Sequence, residues 1–169
     1  MKIIDGYQTK KMIGENIHTL VYRGYSEKHS QPVIIKVMRE EYPSPQELNS
    51  FKKEYEILAK NNFKHIVKAL ALENYNNGYA IILEDINGQS LDQYIKDQPL
   101  DIKEFLQVSI QILEAVSEIH SKEIVHCDLK PHNITYNRES SQIKIIDFGL
   151  AESLSINSKI NKEKIEGTL

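Results

Sequence analysis

The sequence has a single cysteine, Cys127, among its 169 residues, so the chain cannot form an intramolecular disulfide. This cysteine usage is compatible with a reducing cytoplasm. The net charge is only −3 at pH 7, which excludes a strong overall field toward nucleic acid or anionic lipid. No apolar run approaches the roughly 20 residues that span a bilayer, and the first residues carry no long apolar segment of a secretory signal. We therefore expect a cytoplasmic protein with no nucleic-acid partner and no membrane partner.

The first half of the sequence is typical of a folded, strand-rich unit. Hydrophobic residues make up 40% of the chain and charged residues 27%, unlike the composition of disordered chains. The pattern predicts strands over 7–38, 67–73 and 79–85. Between them, Ser44-Pro45-Gln46-Glu47 combines a capping serine, a first-turn proline and a capping-box glutamate, and so predicts the start of a helix.

The second half predicts a long helix over 101–121, a strand over 143–146 and an exposed polar loop over 152–166. Asn87-Gly88-Gln89 separates the two halves and favours a hinge between them. A β-rich half followed by a helical half predicts an α+β fold. The long helix carries its predicted apolar stripe at Ile102, Phe105, Leu106, Ile112, Leu113, Val116 and Ile119.

Two polar motifs follow the long helix, HCDLKPHN over 126–133 and Asp147-Phe148-Gly149. An aspartate and an asparagine five positions apart can divide two tasks. Asp128 can accept the proton of an attacking hydroxyl, and Asn133 can offer a neutral oxygen to Mg²⁺. Lys130 can neutralise charge on a transferred phosphoryl group. Asp147 follows an apolar strand that would position its carboxylate for the same metal, and Gly149 would let the chain turn sharply.

These motifs resemble the catalytic loop and the Asp-Phe-Gly motif of protein kinases. The loop departs from the usual His-Arg-Asp form only at Cys127, and Lys130-Pro131 is similar to the serine/threonine branch. The resemblance implies a two-lobed fold that binds ATP and Mg²⁺ and transfers phosphate to serine or threonine of a protein substrate. Catalytic roles fall on Asp128, Lys130 and Asn133, and metal binding on Asn133 and Asp147.

The first half supplies the partners that this resemblance requires. Residues 33–36 (VIIK) are similar to the V-A-I-K strand, in which the lysine grips the α- and β-phosphates of ATP. Glu54 lies between Phe51 and Leu58 on the apolar face of the predicted helix. A carboxylate there needs a nearby cation, because burying it alone is costly, and Lys36 is the candidate. Glu56 is two residues off that face and is predicted to be solvated. We also expect Lys36 to lie near Asp147.

The glycine-rich loop is the main departure from the family pattern. Only Gly14 of its three glycines remains, with Asn16 and Thr19 in the other two places. This reduces flexibility and the close approach of backbone amides to phosphate, which weakens the expectation of tight ATP binding. The resemblance nevertheless implies cofactor-binding roles for eight residues. They are Ile13, Gly14, Val21, Lys36, Glu54, Leu83 at the back of the pocket, and Glu84 and Ile86 in the hinge segment that binds adenine through its backbone.

The resemblance assigns 1–86 to the N-lobe and 87–169 to a partial C-lobe that stops within the activation segment. The final Glu166-Gly167-Thr168-Leu169 is similar to the stretch just before the Pro-Glu motif that closes this segment. The chain is therefore expected to be a fragment or a degenerate product, with apolar area of the long helix exposed. Its opening resembles the N-terminal kinase domains of bacterial multi-sensor proteins, best known in cyanobacteria. Those proteins join the kinase to downstream ATPase, GAF and histidine kinase domains.

Three functions remain open from the sequence. The first is an active phosphotransferase, which the complete polar set favours. The second is a pseudokinase-like nucleotide-binding or interaction module, which the eroded glycine loop favours. The third is a small-molecule kinase of the antibiotic or choline type, against which Phe148-Gly149 and Lys130-Pro131 argue.

Overall fold

The computed structural model describes residues 4–153, which form two compact units. The first unit contains the residues up to Asn62 together with Lys68–Asp85. The second contains Phe63–Val67 and the residues from Ile86 onward. The lobe boundary predicted between residues 86 and 87 stays a prediction.

A five-stranded antiparallel sheet forms most of the first unit, in the order β1-β2-β3-β5-β4. Each neighbouring pair is antiparallel, and three of the four pairings join strands that are consecutive in the chain. The strands are β1 Tyr7–Glu15, β2 Thr19–Ser26, β3 Gln31–Met38, β4 Ala69–Tyr75 and β5 Gly78–Glu84.

The two faces of β3 have different environments. Val33, Ile35 and Val37 alternate along the strand and join a buried apolar cluster with Tyr7 and Ile82. Ile34 and Lys36 point to the opposite face, because successive side chains of a strand alternate. The apolar run of the sequence is therefore split between a core face and a face that carries a lysine.

Helix α1, Pro45–Lys60, begins as its sequence predicts. The Ser44 side chain accepts a hydrogen bond from the Glu47 amide, the Glu47 carboxylate accepts one from the Ser44 amide, and Pro45 occupies the first turn. Its buried residues are Phe51, Glu54 and Leu58, so a carboxylate lies on the apolar face of the helix.

The second unit combines short strands with two α-helices. Helix α3 starts with a second capping box, formed by Asp101 and Glu104. The elements are β6 Gln89–Ser90, α2 Leu91–Asp97, α3 Ile102–Ser121, β7 Ile124–Val125, a 3-10 turn Pro131–Asn133, β8 Ile134–Asn137, β9 Gln142–Ile145 and β10 Glu152–Ser153. Strands β6, β8 and β9 form one sheet, and β7 pairs with β10.

Three features of the second unit differ from the sequence prediction. Helix α2 was not predicted from the sequence. It buries only Leu91 and Tyr94, and a single pair of apolar residues at helical spacing is a weak signal for a helix. Glu152 and Ser153 pair with β7 instead of lying in a loop, and the rest of the predicted loop is outside the described residues. The buried face of α3 also differs from the predicted stripe.

Helix α3 buries Val108, Ala115 and Ile119, and only the last belongs to the predicted stripe. Apolar side chains occur on more than one face of this helix, so periodicity alone did not identify the face that packs against β7 and β9. Ile102, Phe105, Leu106 and Leu113 of the stripe are 53–75% exposed.

Among residues 4–153, no helix is both long enough and apolar enough to cross a membrane.

Candidate active site

A buried ion pair joins β3 to α1 in the first unit. The Lys36 Nζ lies 2.7 Å from Glu54 Oε1 and 2.8 Å from Oε2, so one ammonium bridges both carboxylate oxygens. The side chains are only 8% and 2% exposed. The prediction that Lys36 satisfies Glu54 is therefore confirmed by this contact. By contrast, Glu56 points to solvent and pairs with Lys60 one turn later. The predicted proximity of Lys36 to Asp147 concerns residues of different units and stays a prediction.

The sheet register aligns three of the predicted nucleotide-binding residues. Gly14 of β1 is opposite Val21 of β2, and Val21 is opposite Lys36 of β3. Ile13 is the extra residue of a bulge between Met12 and Gly14 and is 46% exposed. A Cβ at Gly14 would meet only the Val21 Cβ, at 3.8 Å, so the fold itself leaves room for a side chain there.

The turn between β1 and β2 is held by the side chain of Asn16. Its Oδ1 accepts hydrogen bonds from the amides of His18 and Thr19, at 2.8 and 2.7 Å, and from the Thr19 hydroxyl at 3.0 Å. An asparagine oxygen can replace a backbone carbonyl in such a turn. The sequence shows the loss of the glycine at this place but gives no sign of these bonds.

The end of β5 carries Leu83 and Glu84. Leu83 is 6% exposed. The Glu84 amide donates to the Lys68 carbonyl at 3.0 Å, and its carboxylate accepts from the Lys68 amide at 3.0 Å. The Glu84 amide is thus bonded to the residue that precedes β4, so it is not the group that hydrogen-bonds the adenine base. Ile86, the other predicted hinge residue, belongs to the second unit, where its carbonyl accepts a hydrogen bond from the Asn137 side chain.

Sequence reasoning missed an ion pair beside this segment. Arg23 of β2 contacts Asp85 through two nitrogens, with Nε 2.8 Å from Oδ2 and Nη2 3.3 Å from Oδ1. The Asp85 side chain is only 4% exposed. This ion pair ties the residue that follows β5 to β2. Sixty-two residues separate the partners, and no local pattern joins them.

In the second unit, the catalytic-loop residues Asp128, Lys130 and Asn133 converge. Lys130 Nζ lies 2.9 Å from Asp128 Oδ2. The Asn133 Nδ2 donates to the Asp128 carboxylate at 2.8 Å and to its carbonyl at 2.9 Å. Because the amide nitrogen points to Asp128, the Asn133 Oδ1 is the atom left for another partner. The loop thus presents an oriented carboxylate, a cation and an amide oxygen within a few residues.

His126 connects this loop to the chain segment before Asp147. Its Nδ1 accepts from the Asp128 amide at 3.2 Å, and its Nε2 lies 3.1 Å from the Ile146 carbonyl. The neutral imidazole with its proton on Nε2 satisfies both contacts. Burial lowers the pKa of His126, which opposes protonation, although the Ile146 carbonyl and the nearby carboxylates act in the other direction. The ring also packs edge-on against Phe148, 4.6 Å between centroids.

Asp147 follows a segment that is bonded to the catalytic loop. The Ile146 amide donates to the Asn133 carbonyl at 2.9 Å, which ties the start of this motif to the catalytic loop. Asp147 itself has a φ of 63°, the left-handed conformation that aspartate tolerates better than most residues. A turn does follow, closed by the Ala151 amide on the Phe148 carbonyl at 3.0 Å. The sequence therefore predicted the turn after Asp147, in which Gly149 lies, but not the left-handed backbone of Asp147 itself.

The donor types of the second unit fit Mg²⁺. Within the described part of the chain, no three His, Cys, Asp or Glu side chains converge on a closed metal cage. Mg²⁺ does not require one, since proteins usually bind it through one or two carboxylates and the substrate phosphates complete the shell. Asp147 provides a carboxylate and Asn133 an amide oxygen, both hard oxygen ligands.

Residues 7–169 match the family described as the protein kinase domain. Because the match spans more than half of the sequence, the chain belongs to the protein kinase domain family. The predicted α+β protein-kinase fold is thereby confirmed.

The similar proteins include serine/threonine kinases from bacteria and animals. Serine/threonine-protein kinase PrkC of Bacillus subtilis is 31% identical over 170 residues, covering 99% of this chain and 26% of that protein. A probable serine/threonine-protein kinase PknB of Lactococcus lactis is 30% identical over 168 residues, covering 98% and 27%. Serine/threonine-protein kinase nekl-2 of Caenorhabditis elegans is 29% identical over 167 residues, covering 92% and 47%. The chain thus spans about a quarter to a half of the length of these relatives.

Proposed function

We propose that this domain transfers the γ-phosphoryl group of ATP to a serine or threonine hydroxyl of a protein substrate in signal transduction. The observation that carries the proposal is the Asp128 carboxylate held by Lys130 and by the Asn133 amide nitrogen. A carboxylate so fixed is suited to accept a proton from a hydroxyl, and general-base catalysis depends on such orientation. The match to the kinase family and the names of the similar proteins support the same reaction.

The residues divide the reaction between them. Asp128 accepts the hydroxyl proton as the substrate oxygen forms its bond to the γ-phosphorus, while the bond from that phosphorus to the bridging oxygen of ADP breaks. Lys130 offsets negative charge on the phosphoryl oxygens. Lys36, oriented by Glu54, binds the α- and β-phosphates. Asn133 and Asp147 hold Mg²⁺, which when bound neutralises charge on the phosphates.

The remaining predicted residues bind the nucleotide. Val21 and Leu83 supply apolar contact to the base, Ile13 and Gly14 cover it from β1, and the backbone of Glu84 and Ile86 contributes hydrogen bonds. Because the Glu84 amide is engaged with Lys68, its part in this proposal falls to its carbonyl. Asp85, bound by Arg23, would steady this segment.

The test compares Asp147→Asn with Glu56→Gln in the full-length protein. Asp147→Asn removes the only full charge that we assign to the metal, so Mg²⁺-dependent phosphoryl transfer from ATP to a peptide should fall by roughly 100-fold or more. Glu56→Gln removes an exposed carboxylate on α1 and should leave the rate unchanged. Equal losses in the two variants would overturn the assignment of roles.

One observation favours a second candidate, a nucleotide-binding or interaction module without catalysis. The amides of His18 and Thr19, which a phosphate-covering loop would offer to ATP, are engaged by Asn16. A phosphoryl-transfer rate of the full-length protein equal to that of its Asp128→Asn variant would favour this module over the kinase.

We also propose that the domain operates within a longer signalling protein. The chain covers 26% of PrkC and 27% of the similar PknB, so the similar proteins extend well beyond the matched region. The resemblance of the opening residues to cyanobacterial hybrid kinases suggests downstream ATPase, GAF and histidine kinase domains as covalently linked partners. The reading frame beyond codon 169 tests both statements. A stop codon there would contradict the longer protein, and an open frame that encodes different domains would contradict only the resemblance to hybrid kinases.

A further inference from the structure

The turn between β1 and β2 is closed by its own side chain. The Asn16 Oδ1 takes the amide hydrogens of His18 and Thr19 as well as the Thr19 hydroxyl, all at 2.7–3.0 Å. The Asn16 amide donates to the Thr19 carbonyl at 2.9 Å. The amides of His18 and Thr19, just before and at the start of β2, therefore already donate to a hydrogen-bond acceptor within the turn.

The turn is also fastened to the rest of the first unit. Arg39, just after β3, donates its amide to the His18 carbonyl at 2.8 Å and its guanidinium to the Asn16 carbonyl at 3.3 Å. The His18 Nδ1 lies 3.2 Å from Oε1 of Glu47, the same glutamate that completes the cap of α1. The backbone of the turn is thus held from both sides, and Asn16 supplies the hold from within.

Loop amides bind phosphate by pointing their hydrogens at its oxygens, and one N–H makes one strong hydrogen bond. The following inference rests on the proposed function. We propose that Asn16 is a positioning residue whose side chain occupies the phosphate-binding amides of His18 and Thr19. ATP must then displace the Asn16 carboxamide from these two amides. Glycine, which the family pattern has in this place, offers no competing acceptor. A phosphate is the stronger acceptor because its hydrogen bonds are charge-assisted, so displacement is feasible but lowers ATP affinity.

The first test replaces Asn16 by glycine in the full-length protein and measures two dissociation constants by calorimetry. Removing an acceptor that holds two amides should tighten MgATP binding about tenfold or more, because the phosphate no longer competes with the carboxamide for them. Adenosine has no phosphate, so its dissociation constant should not change. A mere loss of turn structure would weaken ATP binding or shift both ligands together, and either result would overturn the inference.

Two further variants sharpen the comparison. Asn16→Asp keeps an acceptor for the two amides and adds a negative charge, so MgATP should bind more weakly than to the natural protein while adenosine binds equally. Asn76→Gly changes the matching asparagine of the turn between β4 and β5, which has a φ of 50° that glycine adopts freely. This control should leave both dissociation constants unchanged.

Amide hydrogen exchange separates failure of this inference from failure of the proposed function. The His18 and Thr19 amides should exchange slowly in the natural protein and at least tenfold faster in Asn16→Gly, with no nucleotide present. Fast exchange in the natural protein overturns the inference while leaving the kinase function intact. Slow exchange combined with no binding of ATP or adenosine by any variant overturns the proposed function, and displacement by phosphate with it.

Discussion

At the scale of single residues, the Lys36–Glu54 ion pair of the first unit combines opposite charges with deep burial. Both charges are withdrawn from water, and their contact offsets part of the cost of burying them. The structure satisfies them through two short contacts of 2.7 and 2.8 Å. A buried pair of this kind contributes orientation more than stability, because well-packed apolar residues of similar volume often serve stability as well or better.

This balance predicts the outcome of a double-mutant cycle. Glu54→Gln removes the carboxylate that bridges the buried Lys36 ammonium and should lower the free energy of unfolding by about 3–5 kcal/mol. The double variant Lys36→Met/Glu54→Leu should recover most of that loss. Urea unfolding with a common m-value measures both. Glu56→Gln, on the exposed side of α1, should be neutral. A double variant as unstable as the single one would contradict this account.

His126 predicts a pH dependence of stability. Burial lowers the pKa of His126 below its usual 6.5 in the folded protein, so the unfolded chain binds the proton more readily. The stabilising contribution is full above the unfolded pKa of about 6.5 and is lost as pH falls through that value toward the lower folded pKa. Protonating Nδ1 would also set two N–H groups against each other at the Asp128 amide.

The measurement is the free energy of unfolding from pH 8 to pH 5 for the natural protein and for His126→Asn, which keeps an acceptor near the Asp128 amide but does not titrate. The variant should lose less stability than the natural protein below pH 6.5. His120→Asn, at an exposed histidine of α3, should retain the natural slope. Parallel curves for all three proteins would show that His126 titrates normally.

At the scale of elements, α1 depends on its first turn. Ser44→Ala removes the acceptor of the Glu47 amide and should lower the free energy of unfolding by about 1 kcal/mol. Ser44→Asp should restore most of it, because aspartate is an equally good N-cap. Asn49→Ala, an exposed change within the same helix, should be neutral or slightly stabilising. Thermal and urea unfolding both report this, and full stability in Ser44→Ala would contradict the role of the cap.

The elements also show which parts of the molecule the sequence can predict. The capping boxes at Ser44 and Asp101 are local, so both helix starts were predicted correctly. The pairing of Lys36 with Glu54 followed from one rule, the cost of an unpaired buried charge. The contact of Arg23 with Asp85 and the hydrogen bonds of Asn16 depend on side-chain geometry, which sequence patterns do not encode. For α3, apolar residues on several faces made the buried one ambiguous.

At the scale of the whole molecule, regulation by the segment after Asp147 depends on what precedes Asp128. In kinases, an arginine in that place often holds a phosphate of the activation segment by charge-assisted hydrogen bonds. Here the residue is Cys127, which is exposed, has a φ of 63° and donates from its sulfur to the nearby Val125 carbonyl at 3.6 Å. Unlike the guanidinium group of arginine, the thiol cannot donate two parallel hydrogen bonds to a phosphate. Because Cys127 is exposed, it also does not pack as a small hydrophobic residue.

We therefore expect activation-segment phosphorylation not to be the main switch. Phosphatase treatment of the full-length protein should leave its rate within tenfold, about 1.4 kcal/mol of transition-state free energy. Cys127→Arg should gain dependence on phosphorylation. A tenfold loss that autophosphorylation restores in the natural protein would contradict the expectation. The serines of this segment that could be phosphorylated are Ser153, Ser155 and Ser158. Ser153 is exposed in β10. Ser155 and Ser158 lie outside the described residues, as do the neighbouring lysines Lys159, Lys162 and Lys164.

The five residues Phe63–Val67 make both units discontinuous in sequence. They follow α1 and precede β4, both in the first unit, yet they belong to the second. There the Ile145 amide binds the His65 carbonyl, the Val67 amide binds the Ile145 carbonyl, and Lys144 binds the Ile66 carbonyl. Recombination at the junction after Asp85 would therefore separate β9 from the segment His65–Val67, to which it is hydrogen-bonded. Neither unit is therefore encoded by one uninterrupted stretch of the gene.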